Sequence, residues 1–525
     1  MKRTLFAGLS ATLITLIPLM TQAATLSIEG GQITQPAHDA TGIRSFKGIP
    51  FAAPPVGELR WKAPQALKPW SGVREVSEWG PRCVQSNRLG ELDPLNKRMD
   101  EDCLYLNIWT AEADPRARKP VMLYIHGGAY SNGSVTDPLN DGQALAARGD
   151  VVVVTVNHRL NALGYLYLAR FDPRFADSGN VGQLDLILAL QWVRDNIAAF
   201  GGDPGRVMVF GQSGGGAKIA TLMGMPAARG LFHRAATMSG QQVTASGPLH
   251  ATERARAYLA ALRVPERDLS AVLAVPTQRL VEALDTRDPI LGGGLYFGPV
   301  LDMHWLTRHP FWPDANPIGN GIPMMLGNVH DETRGFLSPD SPTLRGLSWD
   351  NLADRMAPEL KIDILPEWVV AQYRAHFPTW SPTQVFYDAT TAGRSWRGQV
   401  IEAEARAAAG VPGFVYQVDF TSRTDPRRGA FHTMDIPLVF GTLGAAVSQT
   451  GLAADARAAS AAMQERFVTF AHTGTPNRAG LAPWPVYDLG RRATMIFDAE
   501  SRVENDPRRW QRELFARVPY IQPGT

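Results

Sequence analysis

The fold of this chain is decided by one stretch, Val207-Met208-Val209-Phe210-Gly211-Gln212-Ser213-Gly214-Gly215. Its first four residues are apolar and predict a buried strand, and the Ala-, Ile- and Leu-containing residues that follow it predict a helix. The glycines two positions either side of Ser213 permit a sharp turn, because they lack the Cβ atoms that would clash there. A serine at the start of a helix also faces backbone N–H groups and the positive end of the helix dipole. Ser213 is therefore a candidate nucleophile, with a glycine-rich structural turn as the alternative.

Strands and helices alternate on both sides of this stretch. Short, uninterrupted apolar runs predict strands that are buried on both faces, at residues 121–125, 151–156, 207–210, 323–326 and 414–418. Between the second and third runs, apolar residues recur at helical spacing over residues 184–197. The sequence therefore predicts an α/β fold in which a central, mostly parallel, twisted sheet is flanked by helices.

Two longer segments, residues 248–291 and 344–406, interrupt this alternation and are predicted to be mostly helical insertions with polar faces. We expect such insertions to roof the active site. No linker or shift in composition marks a second domain, so residues 24–525 are predicted to form a single catalytic domain.

The first 23 residues have the pattern of a signal peptide. Lys2 and Arg3 precede an apolar run over residues 5–20, and Thr21-Gln22-Ala23 resembles a small-residue cleavage site. A membrane anchor is the alternative, but the run is shorter than the ~20 residues of a spanning helix. We therefore expect export to the periplasm or the extracellular space, with no stable membrane anchor.

Composition excludes several other classes of protein. Loss of Lys2 and Arg3 would leave 50 basic residues against 50 acidic ones, and no basic stretch is interleaved with aromatic residues, so a nucleic-acid partner is not expected. The 11 histidines are dispersed, and no Cys-x-x-Cys or His-x-x-x-His spacing occurs, so no metal site is predicted. Cys83 and Cys103 predict one disulfide in an exported chain, with two free buried thiols as the alternative.

A second glycine-rich segment, His126-Gly127-Gly128-Ala129, directly follows the first predicted strand. Small residues at this place let backbone amides approach a substrate carbonyl. We therefore assign the N–H groups of Gly128, Ala129 and Gly214 to an oxyanion hole, with a plain tight turn as the alternative for residues 126–129.

A serine hydroxyl becomes nucleophilic only when a base takes its proton, and a carboxylate must orient that base. For a nucleophile at this kind of turn, the chain order is serine, acid, histidine, so the base follows Ser213. This chemistry requires no cofactor. Spacing does not choose among the later histidines, which are His233, His250, His304, His309, His330, His376, His432 and His472.

Three further motifs carry a family resemblance: residues 47–57 (KGIPFAAPPVG), 101–108 (EDCLYLNI) and 200–204 (FGGDP). They resemble segments of type B carboxylesterases, the group that includes bacterial para-nitrobenzyl esterases and animal cholinesterases. The resemblance covers essentially the whole chain after residue 23. It implies an α/β-hydrolase fold, a small-molecule ester substrate that is cleaved with water, and the Cys83–Cys103 disulfide.

The same resemblance implies the remaining site residues. Residues 327–332 (GNVHDE) resemble the segment that carries the family's acid, which implies Glu332, with Asp331 as the lesser candidate. Residues 431–441 (FHTMDIPLVFG) imply His432 as the base, so that the predicted triad is Ser213, Glu332 and His432. Ser239 is implied as a serine that orients the acid. His472 falls at a non-catalytic surface helix end.

The chain also departs from the family pattern. Gln212 stands where glutamate is usual, and Gly214 stands where alanine is usual. Residues 84–102 contain no aromatic residue that could stack on a quaternary ammonium, so choline esters are not predicted to be preferred substrates. Two alternative functions remain: the same triad acting on an amide, lactone, polymer or toxin ester, and a catalytically inactive binding module of the cholinesterase-like fold.

Overall fold

The computed structural model describes residues 24–86 and 98–522, so the predicted signal peptide lies outside the described residues. Within those residues the strands are β1 (Thr25–Ile28), β2 (Gly31–Thr34), β3 (Arg44–Pro50), β4 (Val73–Arg74), β5 (Arg82–Cys83), β6 (Met99–Asp100), β7 (Tyr105–Thr110), β8 (Lys119–Ile125), β9 (Val152–Val156), β10 (Gly202–Gln212), β11 (Arg234–Met238), β12 (Met324–Val329), β13 (Gly413–Val418), β14 (Ala493–Phe497) and β15 (Arg502–Asn505).

The α-helices in the same part of the chain are α1 (Gln143–Gly149), α2 (Asn161–Tyr165), α3 (Val181–Asn196), α4 (Gly214–Leu222), α5 (Pro248–Leu262), α6 (Ser270–Leu273), α7 (Thr277–Glu282), α8 (Thr333–Phe336), α9 (Leu352–Leu360), α10 (Pro366–His376), α11 (Pro382–Thr391), α12 (Arg397–Ala408), α13 (Asp435–Phe440), α14 (Ala454–Thr473) and α15 (Arg509–Phe515).

One large sheet organises the molecule, with the strand order β15-β14-β13-β12-β11-β10-β8-β9-β7-β3. The strands from β14 to β9 in this order are parallel to their neighbours, whereas β15, β7 and β3 pair in the antiparallel sense. All the predicted apolar runs lie in this sheet as parallel strands, and the predicted helix over residues 184–197 corresponds to α3. The prediction of a mostly parallel sheet flanked by helices is confirmed.

The apolar runs are uninterrupted because both faces of the sheet are covered. Val207 and Val209 pack into a core layer that includes the apolar residues of α3. Met208 and Phe210 point to the other face and pack into a second layer that includes the apolar residues of α14. Since side chains alternate between the two faces of a strand, a strand between two helical layers needs an apolar residue at every position.

The two predicted insertions differ in how they approach the active site. Residues 344–406 form α9 to α12, and a π-helical turn (Ala392–Trp396) brings Arg394 and Ser395 to the wall of the large cavity described below. Residues 248–291 form α5, α6 and α7, which pack into a separate apolar cluster. The first insertion contributes nothing to the cavity wall among the described residues, and Tyr296, just beyond it, lines the cavity instead.

Candidate active site

Ser213 lies at the sharp turn between β10 and α4 that the glycine pattern predicts. Its φ of 54° and ψ of −124° are unusual for a residue with a side chain, and such strain is commonly found at functional sites. A Cβ at Gly215 would collide with the carbonyl oxygen of Ile125, at the end of the neighbouring strand β8. The turn therefore needs glycine because two backbones approach each other closely here.

Glu332 and His432 meet beside this turn, although they are 100 residues apart in the chain. The Nδ1 atom of His432 is hydrogen-bonded to Oε2 of Glu332. The other carboxylate oxygen of Glu332 accepts hydrogen bonds from Asn328 Nδ2 at 2.9 Å and from the Val329 N–H at 3.1 Å. The carboxylate is fully buried, so these bonds fix it as a rigid acceptor that orients the imidazole.

Asp331, the lesser candidate for the acid, points elsewhere. Its carboxylate contacts His330 at 3.4 Å and Arg334 at 3.3 Å, and it accepts a hydrogen bond of 3.0 Å from the Ala430 N–H. Burial acts to raise the pKa of Asp331, but the hydrogen bond to His330 and the charges of His330 and Arg334 outweigh it and lower the pKa to about 2. Asp331 therefore holds together the two loops that carry Glu332 and His432.

The Nε2 side of the His432 imidazole contacts Gln212. The side-chain nitrogen of Gln212 lies 3.2 Å from Nε2 of His432, and Gln212 is almost completely buried. Within the described residues, Ser213 Oγ forms no hydrogen bond with His432, although both residues line the same cavity. In this structure the Gln212 amide is therefore hydrogen-bonded to Nε2 of His432, the nitrogen to which the serine of a triad would donate its proton.

The glycine-rich segment after β8 presents backbone N–H groups to the cavity. We call residues 126–129 the oxyanion loop. Gly128 and Ala129 line the cavity, and their N–H groups make no hydrogen bond within the described part of the chain. Gly214, the first residue of α4, also lines the cavity, and N–H groups in the first turn of a helix have no partner inside the helix.

The carbonyl groups behind the Gly128 and Ala129 amides are held by the protein. Gly127 O, which shares a peptide with the Gly128 N–H, accepts a hydrogen bond of 2.9 Å from Nδ1 of His126. Gly128 O, which shares a peptide with the Ala129 N–H, accepts hydrogen bonds from the N–H groups of Ser131 and Asn132. These bonds polarise both peptides and orient their N–H groups before any substrate binds.

His126 is a structural residue in its neutral form. Burial, reinforced by the nearby charge of Lys218, lowers the pKa of His126 to about 3. Because a carbonyl oxygen can only accept, the bond to Gly127 O requires the proton to be on Nδ1. The ring packs against His158, with 4.5 Å between the ring centroids. His126 therefore supports the oxyanion loop as a neutral imidazole.

The cavity in front of these groups has a volume of about 630 Å³, which is within the range of small-molecule sites. Its wall combines aromatic and apolar side chains, which include Tyr130, Tyr296, Phe336 and Ile436, with the charged side chains of Arg82, Asp137 and Arg394. Phe336 packs on the imidazole of His432, with 4.5 Å between the ring centroids. The cavity can therefore hold a substrate of moderate size with its reactive group between Ser213 and the oxyanion loop.

Ser239 contacts the acid indirectly. Its Oγ accepts a hydrogen bond of 3.3 Å from the Val329 N–H, which also donates to Glu332. His472 lies near the end of α14, where its Nε2 contacts Gly149 O at 3.0 Å. A disulfide joins Cys83 and Cys103, as predicted.

Neither a metal site nor a membrane-spanning helix is found in the described parts of the chain. Within residues 24–86 and 98–522, no group of three or more His, Cys, Asp or Glu side chains could hold a metal ion. None of the helices in these ranges is long and apolar enough to cross a membrane.

Comparison with known proteins identifies the family. A family model described as the carboxylesterase family matches residues 21–515. The chain belongs to the carboxylesterase family. Para-nitrobenzyl esterase of Bacillus subtilis (strain 168) is 35% identical to this carboxylesterase over 489 residues, which cover 90% of this chain and 94% of that protein. Fumonisin B1 esterase of Sphingopyxis macrogoltabida is 32% identical over 476 residues, which cover 85% of this chain and 82% of that protein.

Solved structures agree with this assignment. A carboxylesterase of Geobacillus stearothermophilus superposes on this carboxylesterase with a TM-score of 0.81 and 34% identity, and the match covers 94% of this chain and 99% of that one. The predicted α/β-hydrolase fold is confirmed by these neighbours and by the sheet topology. The predicted reaction class is also confirmed, since this carboxylesterase is a serine carboxylic ester hydrolase.

Proposed function

We propose that this carboxylesterase hydrolyses small to medium-sized carboxylic esters through an acyl-enzyme intermediate, with Ser213, Glu332 and His432 as the catalytic triad. The observation that carries this proposal is the buried Glu332 carboxylate on Nδ1 of His432, in a cavity that Ser213 also lines. Glu332 fixes the tautomer of the imidazole and stabilises its protonated form, so that Nε2 faces the cavity as a base.

The first half of the reaction transfers the acyl group to the enzyme. When Gln212 releases Nε2 of His432, this nitrogen takes the proton of Ser213 while Oγ attacks the ester carbonyl carbon. The oxyanion that forms is bound by the N–H groups of Gly128, Ala129 and Gly214, and each such donor typically accelerates the step by about a hundredfold or more. As the carbon–oxygen bond to the alcohol breaks, His432 gives its proton to the leaving alkoxide.

The second half returns the enzyme to its starting state. A water molecule gives a proton to His432 and attacks the acyl carbon, and the same N–H groups hold the second oxyanion. Collapse of this intermediate breaks the bond to Ser213 Oγ, which recovers its proton from His432. The products are the carboxylic acid and the alcohol, and no step needs a cofactor.

Kinetics of Ser213→Ala with para-nitrophenyl butyrate test this assignment. We expect kcat/KM to fall by about a thousandfold or more, because the loss of a triad serine removes most of the rate. Ser460→Ala is a matched control, since Ser460 is a buried serine on α14 that donates to Leu438 O and does not line the cavity. A Ser213→Ala rate within about tenfold of wild type would refute the nucleophile assignment.

The proposed triad does not determine which acyl and alcohol groups the preferred ester carries. The cavity volume of about 630 Å³ favours esters of moderate chain length. A series of para-nitrophenyl esters of increasing acyl length, assayed beside matched anilides and lactones, separates a plain esterase from an enzyme specialised for another acyl substrate.

We also propose that residues 24–525 act as one catalytic domain, exported by the peptide at residues 1–23 to the periplasm or the extracellular space. The Cys83–Cys103 disulfide supports this, because disulfides persist mainly in oxidising compartments. Cell fractionation and amino-terminal sequencing of the mature protein test the proposal, and cytoplasmic protein that retains Met1 would refute it.

A further inference from the structure

Lys218 carries a buried amine that the proposed mechanism does not use. It lies on α4, one helical turn after Gly214, and its side chain is completely shielded from solvent. Its Nζ donates a hydrogen bond of 2.7 Å to Ala129 O and lies 3.4 Å from His126 O. Lys218 therefore joins the helix behind Ser213 to both ends of the oxyanion loop.

The surroundings of Lys218 make its burial costly. Within the described residues no carboxylate forms an ion pair with it, and the charged or aromatic groups around it are the ring of Tyr130 and the neutral imidazoles of His126 and His158. Burial lowers the pKa of Lys218 to about 7. A lysine that is buried without a carboxylate is rare, and unusual groups of this kind are concentrated at functional sites.

Gly214 is the second part of the arrangement. A Cβ at this position would collide with the carbonyl oxygen, the carbonyl carbon and the Cα of Ala129. The Ala129 carbonyl therefore occupies the space that the methyl group of the family's usual alanine would need. Lys218 donates a hydrogen bond to this same carbonyl oxygen. Gly214, where the family usually has alanine, and the Lys218 amine therefore both contact Ala129 O.

The conformation of Ala129 explains how its carbonyl oxygen affects the direction of its N–H group. Ala129 has a φ of 52°, in the left-handed region that residues with a side chain seldom adopt. The peptide before its Cα is held through Gly128 O by Ser131 and Asn132, and the peptide after it is held through Ala129 O by Lys218. With both peptides fixed, the Ala129 N–H points in one direction.

We propose that Lys218 is a positioning residue of the oxyanion hole, and that Gly214 makes room for the carbonyl group that Lys218 holds. Lys218 itself does not line the cavity among the described residues, so it acts through Ala129 and not through the substrate. This inference rests on the proposed function, because it assumes that the Ala129 N–H binds an oxyanion.

Lys218→Met and Gly214→Ala test the proposal with para-nitrophenyl butyrate as substrate. We expect each variant to lower kcat by roughly 10- to 100-fold with KM within about threefold, since the oxyanion exists only after attack on the carbonyl. Affinity for a trifluoromethyl ketone, which forms a tetrahedral adduct with an oxyanion, should fall by the same factor as kcat/KM. The double variant should be no more than about threefold slower than the slower single variant, because both changes release the same carbonyl.

Ile219→Ala is the matched control for lost stability. Ile219 is buried on the same helix but packs into the core layer with α3, so its substitution should lower the melting temperature without changing kcat or ketone affinity.

Unchanged kcat in a folded Lys218→Met variant, or losses that multiply in the double variant, would overturn the proposal. If Lys218→Met does not fold, Lys218→Gln decides, because it removes the amine without touching an oxyanion donor: parallel losses in kcat and ketone affinity support the proposal, and wild-type values for both overturn it. A wild-type protein that cleaves no ester would refute the proposed function itself.

Discussion

Replacement of Gln212 by glutamate is a direct test of the contact between residue 212 and His432, the proposed base. In the structure the amide nitrogen of Gln212 lies 3.2 Å from Nε2 of His432 and can donate to it only while that nitrogen is unprotonated. A carboxylate at the same place cannot donate and accepts only from a protonated Nε2. Gln212→Glu should therefore favour the imidazolium, which cannot act as a base.

The size of the effect follows from the distance. Opposite charges 3.2 Å apart attract by about 5 kcal/mol at an effective dielectric constant of 20. Residue 212 is only 1% exposed, so the cost of burying the new carboxylate cancels part of this attraction. An opposite charge at such a distance usually moves a titration by one to three pH units. We expect the acid limb of the pH profile of kcat/KM to move upward by about one unit or more.

The assay is the pH dependence of kcat/KM for para-nitrophenyl butyrate in both proteins, over the range in which each stays folded. Because the base is inactive below the acid limb, an upward shift means lower activity of Gln212→Glu at pH 7 and recovery at higher pH. Gln212→Met removes the amide without adding a charge, so it should shift the limb by less than the glutamate does. An acid limb that moves by less than about 0.3 units in Gln212→Glu would refute the assigned contact.

The remaining predictions concern the acid and the disulfide. Glu332→Gln should lower kcat by at least about a hundredfold, whereas Asp331→Asn should cost less than about tenfold, because only Glu332 contacts the imidazole; equal small losses would refute the assignment of the acid. The pKa of Asp331 is lowered from 3.8 to about 2, which corresponds to about 2 kcal/mol of stability that is present above pH 4 and is lost as the pH falls towards 2. Urea unfolding should therefore show that Asp331→Asn destabilises the protein at neutral pH and that the difference shrinks below pH 4. Replacement of Cys83 and Cys103 by alanine should lower the free energy of unfolding by about 3 kcal/mol, because the bond closes a loop of sequence separation 20, and a change below about 0.5 kcal/mol would contradict this.

Five strands with uninterrupted apolar runs could be predicted from the sequence, whereas strands without such a run could not. The run at residues 121–125 stands out because every residue in it is large and apolar. Strand β11 (Arg234–Met238) lies in the middle of the same sheet, but Ala235 and Ala236 have low strand propensity, and with the polar Thr237 they give no run of large apolar residues. Its partners β10 and β12 determine its conformation, and that information is not local in the sequence.

Some residues of the candidate site could likewise be predicted from local sequence, and others could not. The turn at Ser213 could be predicted because the glycines that permit it are adjacent in the chain. Glu332 and His432 are far apart, so only the family resemblance indicated them, and spacing left eight histidines open. The contact of Gln212 with His432 and that of Lys218 with Ala129 depend on how separate strands are placed in the sheet, and no local pattern encodes either contact.

The two departures from the family pattern next to Ser213 contact different parts of the proposed machinery. Gln212 contacts His432, the proposed base, whereas Gly214 faces Ala129 in the proposed oxyanion loop. Neither residue contributes to the apolar part of the wall, which is formed by side chains such as Tyr296, Phe336 and Ile436. Changes at 212 and 214 should therefore alter the rate for all esters by similar factors, because every ester passes through the same proton transfer and the same oxyanion. Discrimination between acyl groups must come from the wall, where the size and shape of the substrate are in contact with the protein.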